Sequence, residues 1–290
     1  MNGNVLYDAP GPRTRRLERI GSVVFGVVIL ALLAWLVSSL ARRGVFDDRW
    51  AVLTDPPKGQ SAEDVWTSLL VTGLGATLRA AVVAAPLALV LAFVLAVLRT
   101  SKITVVRVVA TAVIELLRGI PVLLMMFFAL LAFGLSAFEA VVFGLALYNA
   151  AIVAEILRAG LAALPKGQAE AGIAIGLTRW QTLRLVQLPQ VVRLMLPSLI
   201  SQFVVLLKDS SLGFIVGYNE LLNVMKTNYS YFGSESRLPL FLAVALIYLV
   251  VNISLSRVAV LVERRLSTRG QKTEHADELA PDPKATAPRP

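Results

Sequence analysis

The chain has no cysteine and a single histidine, His275, among its 290 residues. Disulfides, thiolate nucleophiles and cysteine-based metal sites are therefore excluded. His275 stands in a polar stretch near the C-terminus, so the apolar part of the chain offers no histidine for catalysis or zinc. Charge is also scarce: 16% of the residues are Asp, Glu, Lys or Arg, against about 25% in a soluble domain. The charges that exist fall between long apolar blocks, and the mean hydropathy is +0.72. Such blocks mark a polytopic membrane protein, in which each span needs ~20 apolar residues to cross ~30 Å of hydrocarbon. In a soluble protein the formal net charge of +9 would raise nucleic acid as a partner. Basic loops on one side of a membrane account for it here, and no nucleic-acid partner is expected.

Six spans can be drawn, at about Ile20–Leu40, Ser68–Leu98, Ile120–Ser136, Phe138–Ile156, Leu194–Ile215 and Pro239–Val260. The first follows Arg13, Arg15, Arg16 and Arg19, as a signal-peptide core would, but its apolar run exceeds the 7–15 residues of a cleavable one. It reads as a retained span. Lys and Arg crowd the segments before Ile20, from Arg99 to Arg118, from Arg158 to Arg193 and after Arg257. Six spans put these four on one side, the cytoplasm, with both termini inside. Arg42 and Arg43 alone oppose that orientation.

The chain then divides into a cytoplasmic N-terminal segment (1–19), an extra first span (20–40), an external loop (41–66), a transmembrane core (67–262) and a tail (263–290). Pro56 and Pro57 mark the external loop as an irregular connection. The tail carries Pro281, Pro283, Pro288 and Pro290 and lacks an apolar face to bury, which predicts disorder.

The most informative stretch lies between the fourth and fifth spans, where Gly167, Gln168, Ala169, Glu170, Ala171 and Gly172 precede Gly176 and, further on, Leu188 and Pro189. Its small residues leave a helix face that another surface can approach closely. Gly176 suits the left-handed position that ends a helix, and Thr178 can cap a second short helix containing Trp180. The expectation is two short interfacial helices joined by a glycine hinge, with an amphipathic helix resting on lipid as the simpler alternative.

This stretch resembles the signature loop of ABC importer permeases: Glu-Ala-Ala, three residues, Gly, nine residues, Ile-x-Leu-Pro. Here it reads Glu170-Ala171-Gly172, three residues, Gly176, nine residues, Val186-Gln187-Leu188-Pro189. Gly172 replaces the second alanine and Val186 the isoleucine, changes expected to loosen packing mildly. Glu115-Leu116-Leu117-Arg118-Gly119-Ile120-Pro121 is similar to the Glu-x-x-Arg-Gly-Thr-Pro element of polar amino-acid permeases. Glu155–Gly160 and Leu207–Leu212 resemble further elements of that family, and Gly217–Leu222 looks most like actinobacterial glutamate permeases. The likeness covers about Ser68 to Leu261.

The resemblance implies an all-α integral membrane protein with the type I ABC importer transmembrane fold, in a bacterial cell membrane. It also implies a second permease subunit, two ABC ATPase subunits docked on the Glu170–Pro189 loops, an extracellular solute-binding protein and a polar amino-acid substrate, with glutamate foremost and glutamine, aspartate or a basic amino acid as alternatives. ATP and Mg would sit on the partner ATPase, and no cofactor on this chain. Consistently, the sequence has no Gly-x-x-x-x-Gly-Lys-Ser/Thr phosphate loop.

Ionisable and polar groups at membrane depth are the remaining functional candidates. Glu115 with Arg118 and Glu155 with Arg158 are i, i+3 pairs on helices and can meet, as structural anchors or as gate elements. Arg79 precedes Arg99 by roughly 30 Å of helix, enough to reach the outer interface, where it snorkels or meets an anionic ligand. Lys208 and Asp209 fall in the outer half of the membrane and each needs its own partner, followed by Ser210 and Ser211 and by Gly213, which can break the helix. Pathway lining and helix-to-helix structure stand open for these four, as for Asn149 and Gln202. An intramembrane enzyme would need a nucleophile–base pair or metal ligands within the spans. Without Cys or a span His that leaves Ser-Lys or paired carboxylates, and no pair of acids is spaced for shared chemistry within a span. A non-transporting assembly protein would have no use for the signature loop.

Overall fold

The computed structural model describes residues 11–278 apart from 43, 45–47 and 58. Eleven helices are numbered α1 to α11 in chain order. Among the described residues five helical stretches are long and apolar enough to cross a membrane, and a sixth span arises if one sharply bent pair is counted together.

α1 (Pro12–Arg42) is the first of these, and no part of its apolar window is buried against the rest of the chain. The expected irregular connection after it is partly ordered: a 3-10 turn covers Asp48–Leu53. Val52 in that turn is buried, and the Trp66 indole N–H donates to the Leu53 carbonyl at 3.0 Å. An apolar side chain and an indole donor thus fasten a segment whose prolines predict only a loop. Arg43 and Asp47 lie outside the described residues. α2 (Ala62–Thr67) starts on a capping box between Ser61 and Asp64 and runs through a π-helical stretch, Ser68–Leu74, into α3 (Gly75–Arg99). The second span is therefore one helical stretch, Ala62–Arg99.

The core is organised by small residues. Ala80, Ala84, Ala88, Ala92 and Ala96 recur every fourth position of α3 and are all buried. They pack against α6 (Ala137–Ala163), itself rich in buried Ala and Gly. Lipid tails are as apolar as leucine, so close backbone approach over small side chains, rather than hydrophobic expulsion, holds membrane helices together. Gly144 and Gly160 on α6 face Met126 and Met195, and a Cβ at either position would lie 2.6 Å from the Met Cγ.

The third span departs from the hydropathy reading. α4 (Thr104–Gly119) and α5 (Val122–Ala132) meet at 100°. The 11 residues of α5 extend only ~16 Å. Ile120 is extended (φ −89°, ψ 127°) because a residue before proline is driven out of the helical region, and Pro121 starts the new helix. The basic segment from Arg99 to Arg118 is thus mostly α4, a helix rather than a loop.

After α6 come α7 (Lys166–Ala174), α8 (Arg179–Gln181), a π-helical stretch Thr182–Gln187 and α9 (Leu188–Asp209), which ends in a 3-10 turn, Ser210–Phe214. α10 (Leu221–Phe232) is a short helix between the last two spans, and α11 (Arg237–Glu278) is the last. Backbone helix thus continues to Glu278, where the tail was expected to be disordered. Lys, Arg, Glu and Gln are good helix formers, and no proline follows Pro239 until Pro281. Residues 279–290 of that tail and 1–10 of the N-terminal segment lie outside the described residues.

Candidate functional site: the loop between α6 and α9

Gly176 has φ +87°, and its position one residue past the helix end is the one the sequence predicts. The Leu177 N–H donates to the Gly172 carbonyl at 3.1 Å and the Gly176 N–H to the Ile173 carbonyl at 3.0 Å, a Schellman closure that satisfies the last carbonyls of α7. Thr178 then caps the next helix reciprocally with Gln181, so the chain turns sharply and restarts. Gly167 lies exposed in the first turn of α7, with Glu170 and Ala171 exposed farther along it. Glu170 has no ion-pair partner among the described residues. Gln168 instead turns inward, its side-chain carbonyl accepting from Gln190 Nε2 at 3.0 Å.

Two expectations change here. The second short helix is not a separate element, because helix is continuous from Arg179 to Phe214. Leu188 and Pro189 form its first α-helical positions after the π stretch. Pro189 lacks an N–H and its ring crowds the carbonyl four residues back, and a wider π turn immediately before it accommodates both defects. Helix therefore runs on from α8 into a membrane-crossing stretch.

Gly172, moreover, does not loosen packing. A Cβ there would lie 2.5 Å from Thr182 Cγ2 and 2.8 Å from its Oγ1. The missing methyl is what lets α7 close on the π stretch.

The two acid–base pairs meet as the i, i+3 spacing predicts. Arg158 binds Glu155 at 2.6 Å and Arg118 approaches Glu115 at 3.4 Å. Arg99, which hydropathy offers only as the end of a span, joins them: it donates to Glu155 at 2.6 Å and lies 3.9 Å from Glu115. Its side chain is 18% exposed. One guanidinium therefore ties the ends of α3, α4 and α6 together, at the level of the α7–α8 loop.

The polar groups nearer the membrane interior separate into two sets. Gln202 Nε2 donates to Asn149 Oδ1 at 2.8 Å, and Asn149 Nδ2 to the Leu145 carbonyl at 2.8 Å. Asn149 is buried, so this pair joins α6 to α9 inside the helix packing. Arg79 stacks over the Phe138 ring at 4.7 Å. Ser210 is buried and donates to the Leu207 carbonyl at 2.6 Å, while Ser211 donates to the Lys208 carbonyl at 2.7 Å. Asp209 is half-buried beside Lys208.

Lys208 and Ser211 border a groove of about 740 Å³ between α9 and α11, together with Tyr248, Asn252 and Arg257. No acid lines it. The Asn252 Oδ1 is buried without a hydrogen-bond partner. Behind the groove Tyr248 donates its hydroxyl to Glu220 at 2.8 Å. Glu220 is fully buried and caps α10 through the Asn223 N–H at 3.0 Å. Burial pushes its carboxyl above the ordinary range. Arg257, Asn252, Tyr248 and Glu220 are all absent from the sequence-derived set. Only Glu220 carries a local signal, as an acid just before an amphipathic helix.

Residues 85–268 match the family of binding-protein-dependent transport system inner membrane components. A glutamate transport system permease protein, GluD, of Corynebacterium glutamicum is 44% identical over 69% of this chain and 76% of that protein. A probable glutamine ABC transporter permease of Bacillus subtilis, GlnP, is 37% identical over 59% of this chain and 80% of its own length. The crystal structure of an amino acid ABC transporter with histidines superposes with a TM-score of 0.62 at 32% identity, covering 70% of this chain and 97% of that one. The chain therefore belongs to the binding-protein-dependent transport system inner membrane components, as a multi-pass permease subunit of an amino-acid ABC importer with the type I fold, a transport component whose ATPase activity resides on separate subunits.

Proposed function

We propose that this permease imports glutamate. The observation that carries the reading is the groove between α9 and α11, where Lys208 and Arg257 supply two cations and, among the described residues, no acid intervenes. An α-amino acid with a second carboxylate answers this with two anionic ends for the two cations. Ionisable side chains at membrane depth mark such pathways. The 44% identity to a glutamate permease supports the same substrate.

In this proposal both termini face the cytoplasm, two permease chains pair in the membrane, and an extracellular solute-binding protein delivers the ligand. ABC ATPases holding ATP and Mg dock on α7 and α8, with Glu170 presented to them. Nucleotide-driven closure of the ATPases would push α8, and the unbroken helix from Arg179 to Phe214 would carry that displacement to Lys208 beside the groove. Alternating access in this reading works through that helix and the groove at its far end.

The test is uptake of labelled glutamate in a deletion strain with and without the gene restored, competed by unlabelled glutamate, glutamine, aspartate and arginine. The reading expects restored uptake blocked best by glutamate, and a rise in KM of tenfold or more for Lys208→Gln. Restored uptake blocked best by glutamine or arginine, or a Lys208→Gln permease with unchanged KM, would refute the substrate assignment.

A further inference from the structure

A second cleft, of about 750 Å³, opens between the α3–α4 turn and the α7–α8 loop. Its walls are apolar: Val97, Leu98, Leu161 and Leu183, closed by Ile173 and Trp180. The last two are large side chains left 48% and 46% exposed. Its rim is cationic. Lys102 on the α3–α4 turn and Arg179 at the start of α8 both line it and are exposed. Arg184 borders its narrow continuation under Trp180. Among the described residues no acid appears in either part. On the floor Thr182 is 2% exposed, and its hydroxyl has no hydrogen-bond partner.

A water-filled cleft would not need walls of this kind, and a free anion would not need the apolar sleeve. An amphiphile with an anionic head and a hydrocarbon tail uses both. The cleft stands at the ends of α3 and α6, where those spans leave the apolar layer. On the proposed orientation, on which this inference rests, that is the level of the anionic cytoplasmic headgroups, and basic pockets between helices on that face hold such heads. Trp180 fits the same depth, since indole rings favour the boundary between hydrocarbon and water.

We propose that this cleft is a binding site for one anionic phospholipid. The phosphate lies between Lys102 and Arg179, and an acyl chain lies along Leu98, Leu161 and Leu183 beneath Trp180. The lipid would then wedge the α7–α8 loop against the end of α3, beside the Arg99 ion-pair cluster. Coupling between the ATPase and the membrane helices would depend on the lipid composition of the inner leaflet.

Native mass spectrometry tests this on the full chain, alone and assembled with its ATPase, in phosphatidylcholine titrated with phosphatidylglycerol. One phosphatidylglycerol should be retained per chain in preference to phosphatidylcholine. The Lys102→Gln/Arg179→Gln double variant should weaken that retention about thirty-fold, since each cation near a membrane surface contributes about fivefold. Ile173→Trp, which fills the cleft without altering its charge, should weaken it as well. Arg107→Gln removes an exposed cation on α4 outside the cleft and should leave retention unchanged. Equal retention of the two lipids, equal loss in Arg107→Gln, or expulsion of the lipid by the bound ATPase would overturn the proposal, the last by making the cleft a seat for protein. Uptake is scored on the same preparations. Transport kept without lipid retention sinks only the lipid site, whereas retention without glutamate uptake counts against the substrate reading alone.

Discussion

Gly172 is the sharpest place to probe the α7–π contact, because the signature loop it resembles has alanine there. Adding one methyl puts a Cβ 2.5 Å from Thr182 Cγ2, 2.8 Å from Oγ1 and 3.1 Å from Cβ. Rotation about χ1 moves the first two atoms but leaves Cβ in place, and Thr182 is 2% exposed with no room to withdraw. Overpacking of this kind costs about 1–3 kcal/mol. Against it stands the gain of about 1 kcal/mol from replacing glycine by alanine within a helix. The expected net loss for Gly172→Ala is therefore about 0–2 kcal/mol, small for the whole fold but concentrated on one contact. Thr182→Ala removes both clashing atoms and a hydroxyl that has no partner, so the double variant should recover. A double-mutant cycle on the thermal midpoint of the purified permease–ATPase complex reads the coupling directly, with an expected interaction of at least about 1 kcal/mol. ATP-dependent uptake should fall in Gly172→Ala and return in the pair. Additive effects in the cycle would show that α7 does not rest on Thr182 in the working transporter.

Three further outcomes follow from the geometry. Arg99→Gln should destabilise the permease by about 1.5–3 kcal/mol, the range for a hydrogen bond to a charged group, whereas Arg118→Gln, on an exposed pair, should cost under about 1 kcal/mol; thermal midpoints in detergent separate the two. Glu220→Gln should be tolerated while Glu220→Ala should cost about 1–3 kcal/mol by orphaning the Tyr248 hydroxyl and the Asn223 N–H. Because burial raises the Glu220 carboxyl, the folded chain holds a proton that the unfolded chain releases near pH 4.3 or above. Its contribution is thus full below that value and is lost as pH rises through the folded pKa, a slope that Glu220→Gln should remove from the pH dependence of the midpoint. Finally, Gly176→Pro, which forces φ to about −65° where +87° is needed, and Glu170→Lys, on an exposed side chain, should both abolish uptake while membrane insertion persists. Normal uptake in both would remove the loop from the coupling path.

Sequence alone determined the features that depend on local chemistry. Apolar runs of span length identify helices that cross a membrane, since buried backbone in lipid must satisfy its own hydrogen bonds. Gly176 and Thr178 announce their turn and cap because a left-handed residue and a side-chain acceptor are local requirements. The i, i+3 spacing foretold the Glu115–Arg118 and Glu155–Arg158 pairs for the same reason. Only the tertiary structure decided what lies between elements distant along the chain. It joined the two pairs through Arg99, matched Asn149 with Gln202 across 53 residues, and set Gly172 against Thr182. It bent the third span at Pro121 by an angle that hydropathy does not encode. It also brought Lys208, Asn252 and Arg257 to one groove. Periodicity reports which face of a helix is apolar, but the partner that face meets is settled by the packing of all the helices at once.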